Sequence, residues 1–194
     1  MKDSYDVLIV GVGGQGTILA SNVLGETCLI EERSVRGAET HGMAQRGGSV
    51  ESHVRIDASF GPLIAEGTAD MIISFDLLEA LRYSHFLKEG GMLVTNTGII
   101  VPTSVYQYNA EVPSEEDIMK ELSGIRCCAI DAAALAIEAG SILSQNIVML
   151  GAASHQLPLK VESLLEAVKR SVPPKTIEKN LKAFELGRDA ARDC

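Results

Sequence analysis

The stretch YDVLIVGVGGQG, residues 5–16, decides the fold class of this chain. An apolar run ends in glycines at the G-x-G-x-x-G spacing of dinucleotide-binding loops. At this spacing Gly11 permits a tight turn, Gly13 lets a phosphate approach the backbone, and Gly16 lets a helix pack closely on the strand. The same spacing also suits a loop that is simply the tightest route from strand to helix. The stretch therefore predicts a strand followed by a helix and leaves nucleotide binding open.

Strand and helix patterns alternate along the rest of the chain. Residues 15–32 have the apolar spacing of a helix face, and a short strand is expected near residues 34–38. Four later runs read as strands: SVESHVRI (49–56), ADMIISF (69–75), GGMLVTNT (90–97) and IRCCAID (125–131). Strands that alternate with helices imply right-handed crossovers. We therefore expect an α/β fold with three layers, a Rossmann-like, mostly parallel sheet with helices on both faces.

Two helix starts carry candidate capping residues. Asp131 precedes AAALAIEAG, where its carboxylate can accept hydrogen bonds from free backbone N–H groups. Asn146 is expected to cap IVMLGAASH in the same way. No linker, repeat or low-complexity segment divides the chain, so residues 1–194 are expected to form a single domain.

Composition and charge exclude several classes of partner. The 194 residues are 46% apolar and 22% charged, with a net charge of −9 and no basic run. Nucleic-acid binding relies on clustered Lys and Arg, so we expect no nucleic-acid partner. The apolar runs are far shorter than the roughly 20 residues that cross a bilayer, so we expect no membrane partner and a cytoplasmic location.

The cysteines and histidines do not have the spacing of metal ligands. The four cysteines lack a C-x-x-C pair: Cys28, Cys127, Cys128 and Cys194. The adjacent pair at 127 and 128 is interpreted as two buried apolar thiols on opposite faces of a strand. The four histidines are scattered. We therefore predict no metal and no resident cofactor in this chain.

The segment HGMAQRGG, residues 41–48, is the most informative loop in the sequence. Glu39 lies near the place where a dinucleotide-binding unit has its ribose-binding acid. The following residues look like a loop, whereas a dehydrogenase would have its second crossover helix there. Arg46, a planar cation beside two glycines, can bind a phosphate or carboxylate or dock on a partner subunit. An exposed hairpin connection is the alternative interpretation.

Five motifs resemble a known family: GVGGQG (11–16), ETHGMAQRGGSVESHVR (39–55), GPLI (61–64), NIVMLGA (146–152) and KNLKAFELGR (179–188). They are similar to the gamma subunit or domain of the 2-oxoacid:ferredoxin oxidoreductases, which includes the small (beta) subunit of indolepyruvate ferredoxin oxidoreductase. The resemblance covers nearly the whole chain.

The resemblance implies an enzyme complex in which this chain is the subunit without cofactors. A large (alpha) subunit would carry thiamine diphosphate, Mg and 4Fe-4S clusters. The complex would convert an arylpyruvate, coenzyme A and oxidised ferredoxin into an aryl-acetyl-CoA, carbon dioxide and reduced ferredoxin. Consistent with that division, the sequence has no Gly-Asp-Gly element for thiamine diphosphate. We expect no catalytic residue here and no activity of the chain alone.

Two groups of residues are the candidate sites, because both are expected at the carboxyl ends of strands, where ligands and partners dock. The cofactor-binding candidates are Gly11, Gly13, Gly14, Gln15, Gly16 and Thr17. The candidates for contact with the partner subunit or coenzyme A are His41, Gln45, Arg46, Gly47 and Gly48. A free-standing NAD(P)-binding Rossmann protein or dehydrogenase, favoured by the glycine spacing and Glu39, is the alternative function.

Overall fold

The structure is a computed structural model that describes residues 4–41, 48–102, 105 and 111–194. Its strands are β1 (Tyr5–Val12), β2 (Val35–His41), β3 (Ser49–Ile56), β4 (Ala69–Ser74), β5 (Leu87–Asn96) and β6 (Arg126–Ile130). Its helices are α1 (Thr17–Ile30), α2 (Leu77–Tyr83), α3 (Glu115–Glu121), α4 (Ala132–Ala139), α5 (Gln145–Ala153), α6 (Val161–Ser171) and α7 (Ile177–Ala190). Within these ranges, no helix has the length and apolar character needed to cross a membrane.

The strands form one six-stranded sheet in the order β2-β3-β1-β4-β5-β6. The pairs from β1 through β4 and β5 to β6 are parallel, which confirms the mostly parallel sheet. Strand β3 is antiparallel to both of its neighbours, β1 and β2. Strand β2 is also longer than the predicted 34–38, because it pairs with β3 along its whole length, from Val35 to His41.

Alternate side chains of the strands serve two separate cores, which confirms the three layers. Val7 and Ile9 face a core built with α1, α4, α5, α6 and α7. Leu8 and Val10 face the other side, where α2 and α3 pack. All four side chains are fully buried, as expected for a central strand that is covered on both faces.

Helices α5 and α7 cross with their backbones in direct contact. A Cβ atom added at Gly151 in α5 would lie 2.0 Å from the carbonyl oxygen of Phe184. A Cβ atom added at Gly187 in α7 would likewise lie 2.0 Å from the carbonyl oxygen of Val148. Both glycines belong to motifs that carry the family resemblance, NIVMLGA and KNLKAFELGR. These motifs therefore encode the crossing of two helices.

The cysteines depart from the sequence-based interpretation at one position. Cys127 and Cys128 do lie on opposite faces of β6, since Cys127 packs on the α2 side and Cys128 on the α1 side. Cys128, however, forms a disulfide with Cys194 and is not a free thiol. Sequence spacing could not predict this pair, because the bond depends on how the chain end after α7 returns to β6. Cys28 is a free buried thiol, and burial raises its pKa to about 11.

Candidate functional site

The glycine loop, residues 11–16, joins β1 to α1 at the carboxyl edge of the sheet. Gly11 lies inside β1, and Gly16 immediately precedes α1. Gly14 and Gly16 have φ angles of 106° and 85°, a left-handed conformation that favours glycine. Thr17, the first residue of α1, is buried. Because glycine has no side chain, the first N–H groups of α1 have no side-chain cap.

Gln15 folds its side chain back into the protein. Its Oε1 atom accepts a hydrogen bond from the Val12 N–H at 2.7 Å, and its Nε2 atom donates to the Phe75 carbonyl at 2.9 Å. A Cβ atom at Gly11 would lie 2.8 Å from Gln15 Oε1, so the glycine makes room for this side chain. Both polar atoms of the amide thus bond to the backbone. A role for Gln15 in ligand binding stays a prediction.

Asn146 contacts the glycine loop, which the sequence reasoning missed. Its Nδ2 atom donates to the Gly16 carbonyl at 3.3 Å. A Cβ atom at Gly16 would lie 2.5 Å from that Nδ2 atom. As expected, the Oδ1 atom of Asn146 accepts a hydrogen bond from a backbone N–H group, that of Ile147, at 3.0 Å. Asn146 is not the N-cap, however, because α5 already begins at Gln145 and Asn146 is its second residue. Asn146 and Gly16 are 130 residues apart, so no local sequence pattern indicated this contact.

Gly48, the residue before β3, contacts the glycine loop. His41 is the last residue of β2. Beyond it, three predicted contact residues lie outside the described residues: Gln45, Arg46 and Gly47. The Gly48 carbonyl accepts a hydrogen bond from the Gly13 N–H at 2.8 Å. The structure therefore places Gly48, one residue of the second predicted group, against the glycine loop.

Two buried polar residues at this edge were not predicted as part of the site. Asp76 follows β4 and caps α2, and its carboxylate accepts hydrogen bonds from three backbone N–H groups. Burial raises the pKa of Asp76, and these hydrogen bonds oppose the shift. Asn96, at the end of β5, donates to the Phe75 carbonyl and accepts from the Ala132 N–H at 3.0 Å. These side chains join the ends of three parallel strands.

Apolar side chains are exposed around a crevice of ≈ 310 Å³ at the same edge. The crevice lies between the glycine loop at Gly14, the segment after β5 and the turn before α5. The exposed apolar side chains that line it are Ile100, Ile142 and Leu143. Leu143 is 87% exposed, the largest fraction of any apolar side chain described. Clustered exposed apolar groups mark a surface for another molecule.

Glu39 does not lie on a strand next to the glycine-loop strand. It lies on β2, which β3 separates from β1, so it is two strand spacings, about 10 Å, from the glycine-loop strand. Its Oε1 atom accepts a hydrogen bond from the Ser21 hydroxyl at 3.2 Å. The groove of ≈ 670 Å³ beside it runs between α1 and β2 and includes Gly37 and Leu29.

Metal-ligating side chains do not cluster in the part of the chain that the structure describes. No group of three or more His, Cys, Asp or Glu residues there is arranged to hold a metal ion. Of the cysteines, Cys128 and Cys194 are joined to each other.

Comparison with known proteins places this architecture among one group of enzymes. Residues 6–190 match the family described as pyruvate ferredoxin/flavodoxin oxidoreductase. The chain is 44% identical over 200 residues to indolepyruvate oxidoreductase subunit IorB of Pyrococcus horikoshii, with 100% of this chain and 98% of that protein covered. It is 29% identical over 186 residues to 2-oxoglutarate synthase subunit KorC of Methanothermobacter marburgensis, with 95% of each covered.

A solved structure has the same fold. The gamma subunit of keto/oxoacid ferredoxin oxidoreductase from Geobacter sulfurreducens superimposes with a TM-score of 0.73 at 25% identity, covering 98% of this chain and 99% of that one. These matches confirm the resemblance identified from the five motifs. They give no support to the alternative of a free-standing NAD(P)-binding protein.

Proposed function

The chain belongs to the pyruvate ferredoxin/flavodoxin oxidoreductase family, and we propose that it is the subunit without cofactors of an indolepyruvate:ferredoxin oxidoreductase. The enzyme would oxidatively decarboxylate indolepyruvate and other arylpyruvates to aryl-acetyl-CoA and reduce ferredoxin. The full-length 44% identity to an indolepyruvate oxidoreductase subunit is the observation that carries the proposal. Residues 1–194 would form one gamma-type domain, in a complex that works in the cytoplasm.

The cofactors belong, in this proposal, to a large (alpha) partner subunit. That subunit would hold thiamine diphosphate, Mg and 4Fe-4S clusters, and ferredoxin would take its electrons from the clusters. Thiamine diphosphate supplies the group that stabilises the carbanion left when carbon dioxide departs. A 4Fe-4S cluster needs four cysteine thiolates. This chain has four cysteines in all, and two of them form a disulfide.

The carboxyl edge of the sheet is the proposed contact surface. The glycine loop, from Gly11 to Thr17, and the connection from His41 to Gly48 would face the large subunit or coenzyme A. The hydrogen bond from Gly13 to Gly48 joins the two segments. The first N–H groups of α1 lack a side-chain cap, and such groups attract anions. Apolar side chains are exposed beside them, as on surfaces that bind another molecule. Coenzyme A would be the co-substrate.

The proposal predicts that the purified chain is inactive and that adding the large subunit restores arylpyruvate-dependent ferredoxin reduction. The measurement is ferredoxin reduction with indolepyruvate, phenylpyruvate or pyruvate in the presence of coenzyme A. The large subunit assayed without this chain is the control. Substrate oxidation by this chain alone, or no gain in activity on mixing, would contradict the proposal.

Arg46 provides a second test, on a residue chosen from the sequence. Arg46→Ala should leave the melting temperature of the isolated chain nearly unchanged. In the complex it should weaken assembly or raise the apparent KM for coenzyme A. The lost binding free energy should be on the order of 2 kcal/mol, as for a lost buried charged contact. If the variant destabilises the isolated chain and the folded fraction assembles and turns over normally, Arg46 has a structural role only.

A further inference from the structure

A polar cluster around the buried Glu79 links helix α2 to the start of β3. Glu79 in α2 is 3% exposed, and its carboxylate accepts a hydrogen bond from the Ser49 hydroxyl. The Tyr83 hydroxyl lies 3.0 Å from the same Ser49 Oγ atom. Arg82 Nε lies 3.4 Å from the other carboxylate oxygen of Glu79. Two side chains of one helix therefore hold Ser49, the first residue of β3.

The cluster reaches the carboxyl edge through the backbone beside Ser49. In the register of the sheet, Ser49 lies opposite Val12, the last residue of β1. The preceding carbonyl, that of Gly48, accepts the hydrogen bond from the Gly13 N–H. A shift of Ser49 would move this carbonyl with it, because the two residues share a peptide bond. Glu79 is thus connected to the glycine loop in two steps, first by its hydrogen bond with Ser49 and then by the hydrogen bond between Gly48 and Gly13.

Burial disfavours the charged form of Glu79. Desolvation raises the pKa of Glu79, and the Ser49 hydrogen bond and the Arg82 charge counter only part of the shift. Its helix neighbours Leu77 and Ala80 are buried in an apolar cluster, where an apolar side chain meets no such penalty. What the carboxylate provides in this position is a fixed acceptor for Ser49.

We propose that Glu79 is a positioning residue that, through Ser49, holds Gly48 against the glycine loop, so that Gly48 and the glycine loop keep one fixed geometry for contact with the large subunit. The inference rests on the proposed function, because it takes this edge as the contact surface. Glu79 itself need not touch the partner.

The test compares partner binding with stability. Glu79→Ala should raise the Kd for the large subunit about tenfold, because the surface is no longer held in its binding geometry. Glu79→Gln keeps an oxygen that accepts the Ser49 hydrogen bond and should bind within about twofold of the wild type. Asp57→Ala is the matched control, since it removes the Arg33 ion pair just beyond the other end of β3. It should lower the free energy of unfolding and leave the Kd unchanged.

Each outcome discriminates between the two proposals. If the wild-type chain binds the large subunit and folded Glu79→Ala binds equally well, the positioning role is overturned and the proposed function stands. If the wild-type chain does not bind, the proposed function fails and the inference with it. If Glu79→Ala does not fold, Ser49→Ala carries the test: about a fivefold rise in Kd supports the role and an unchanged Kd overturns it.

Discussion

Gly187→Ala is expected to lower the free energy of unfolding by about 4 kcal/mol or more, a large part of the stability of a domain of this size. The new methyl group would lie 2.0 Å from the carbonyl oxygen of Val148, which belongs to the backbone of α5 and cannot rotate away. Helices α5 and α7 would have to separate, and the core on the α1 side of the sheet would lose its packing. Urea denaturation of the purified variant measures the effect.

Gly25→Ala is the control for this substitution. Gly25 lies within α1, and a Cβ atom there meets nothing within 4 Å. The change should therefore raise the free energy of unfolding by about 0.5–1 kcal/mol, since alanine loses less backbone entropy in a helix. A Gly187→Ala variant as stable as the wild type would show that the two helices do not cross with their backbones in contact.

Leu143→Asp is expected to weaken binding of the large subunit by about 3 kcal/mol, which is more than a hundredfold in Kd. Leu143 is 87% exposed in the isolated chain and lies beside the glycine loop. If the partner covers this surface, the aspartate would bury an unpaired charge in an apolar contact. Because the Leu143 side chain is not packed in the core of the isolated chain, the free energy of unfolding of that chain should stay unchanged.

Leu29→Asp is the matched control for the assembly measurement. Leu29 is 64% exposed, and it lies near the end of α1, at the opposite edge of the sheet. This variant should bind the large subunit as the wild type does. Equal Kd values for the wild type and Leu143→Asp would exclude the crevice at Leu143 from the subunit interface.

Local patterns were sufficient to locate the strands of the fold. The apolar runs of β4, β5 and β6 were found within a few residues of their bounds, because each is flanked by turn or helix signals. Asp131 was identified as a cap, and its side chain does accept from the Ala134 N–H at 2.9 Å. The antiparallel insertion of β3 between β1 and β2 was not predicted, because strand order depends on contacts between distant segments.

Contacts between distant segments were also the part of the candidate site that the sequence did not predict. The glycine spacing located the loop correctly, since Gly14 and Gly16 need a left-handed backbone. It did not reveal that Gly16 also makes room for Asn146, 130 residues further along the chain. Glu79 gave no signal, because its pairing with Ser49 arises only when α2 packs on the sheet.

The position of β3 between β1 and β2 also means that no native strand pair of this sheet can form before β3 has been synthesised. β1 leaves the ribosome first, but its neighbours in the sheet are β3 and β4. β2 is synthesised second, and in the described sheet it pairs with β3 alone. A nascent chain that ends before residue 49 therefore holds two strands that cannot pair with each other in the native order, and such unpaired edges are where chains associate wrongly. Residues 49–56 supply the strand that pairs with both.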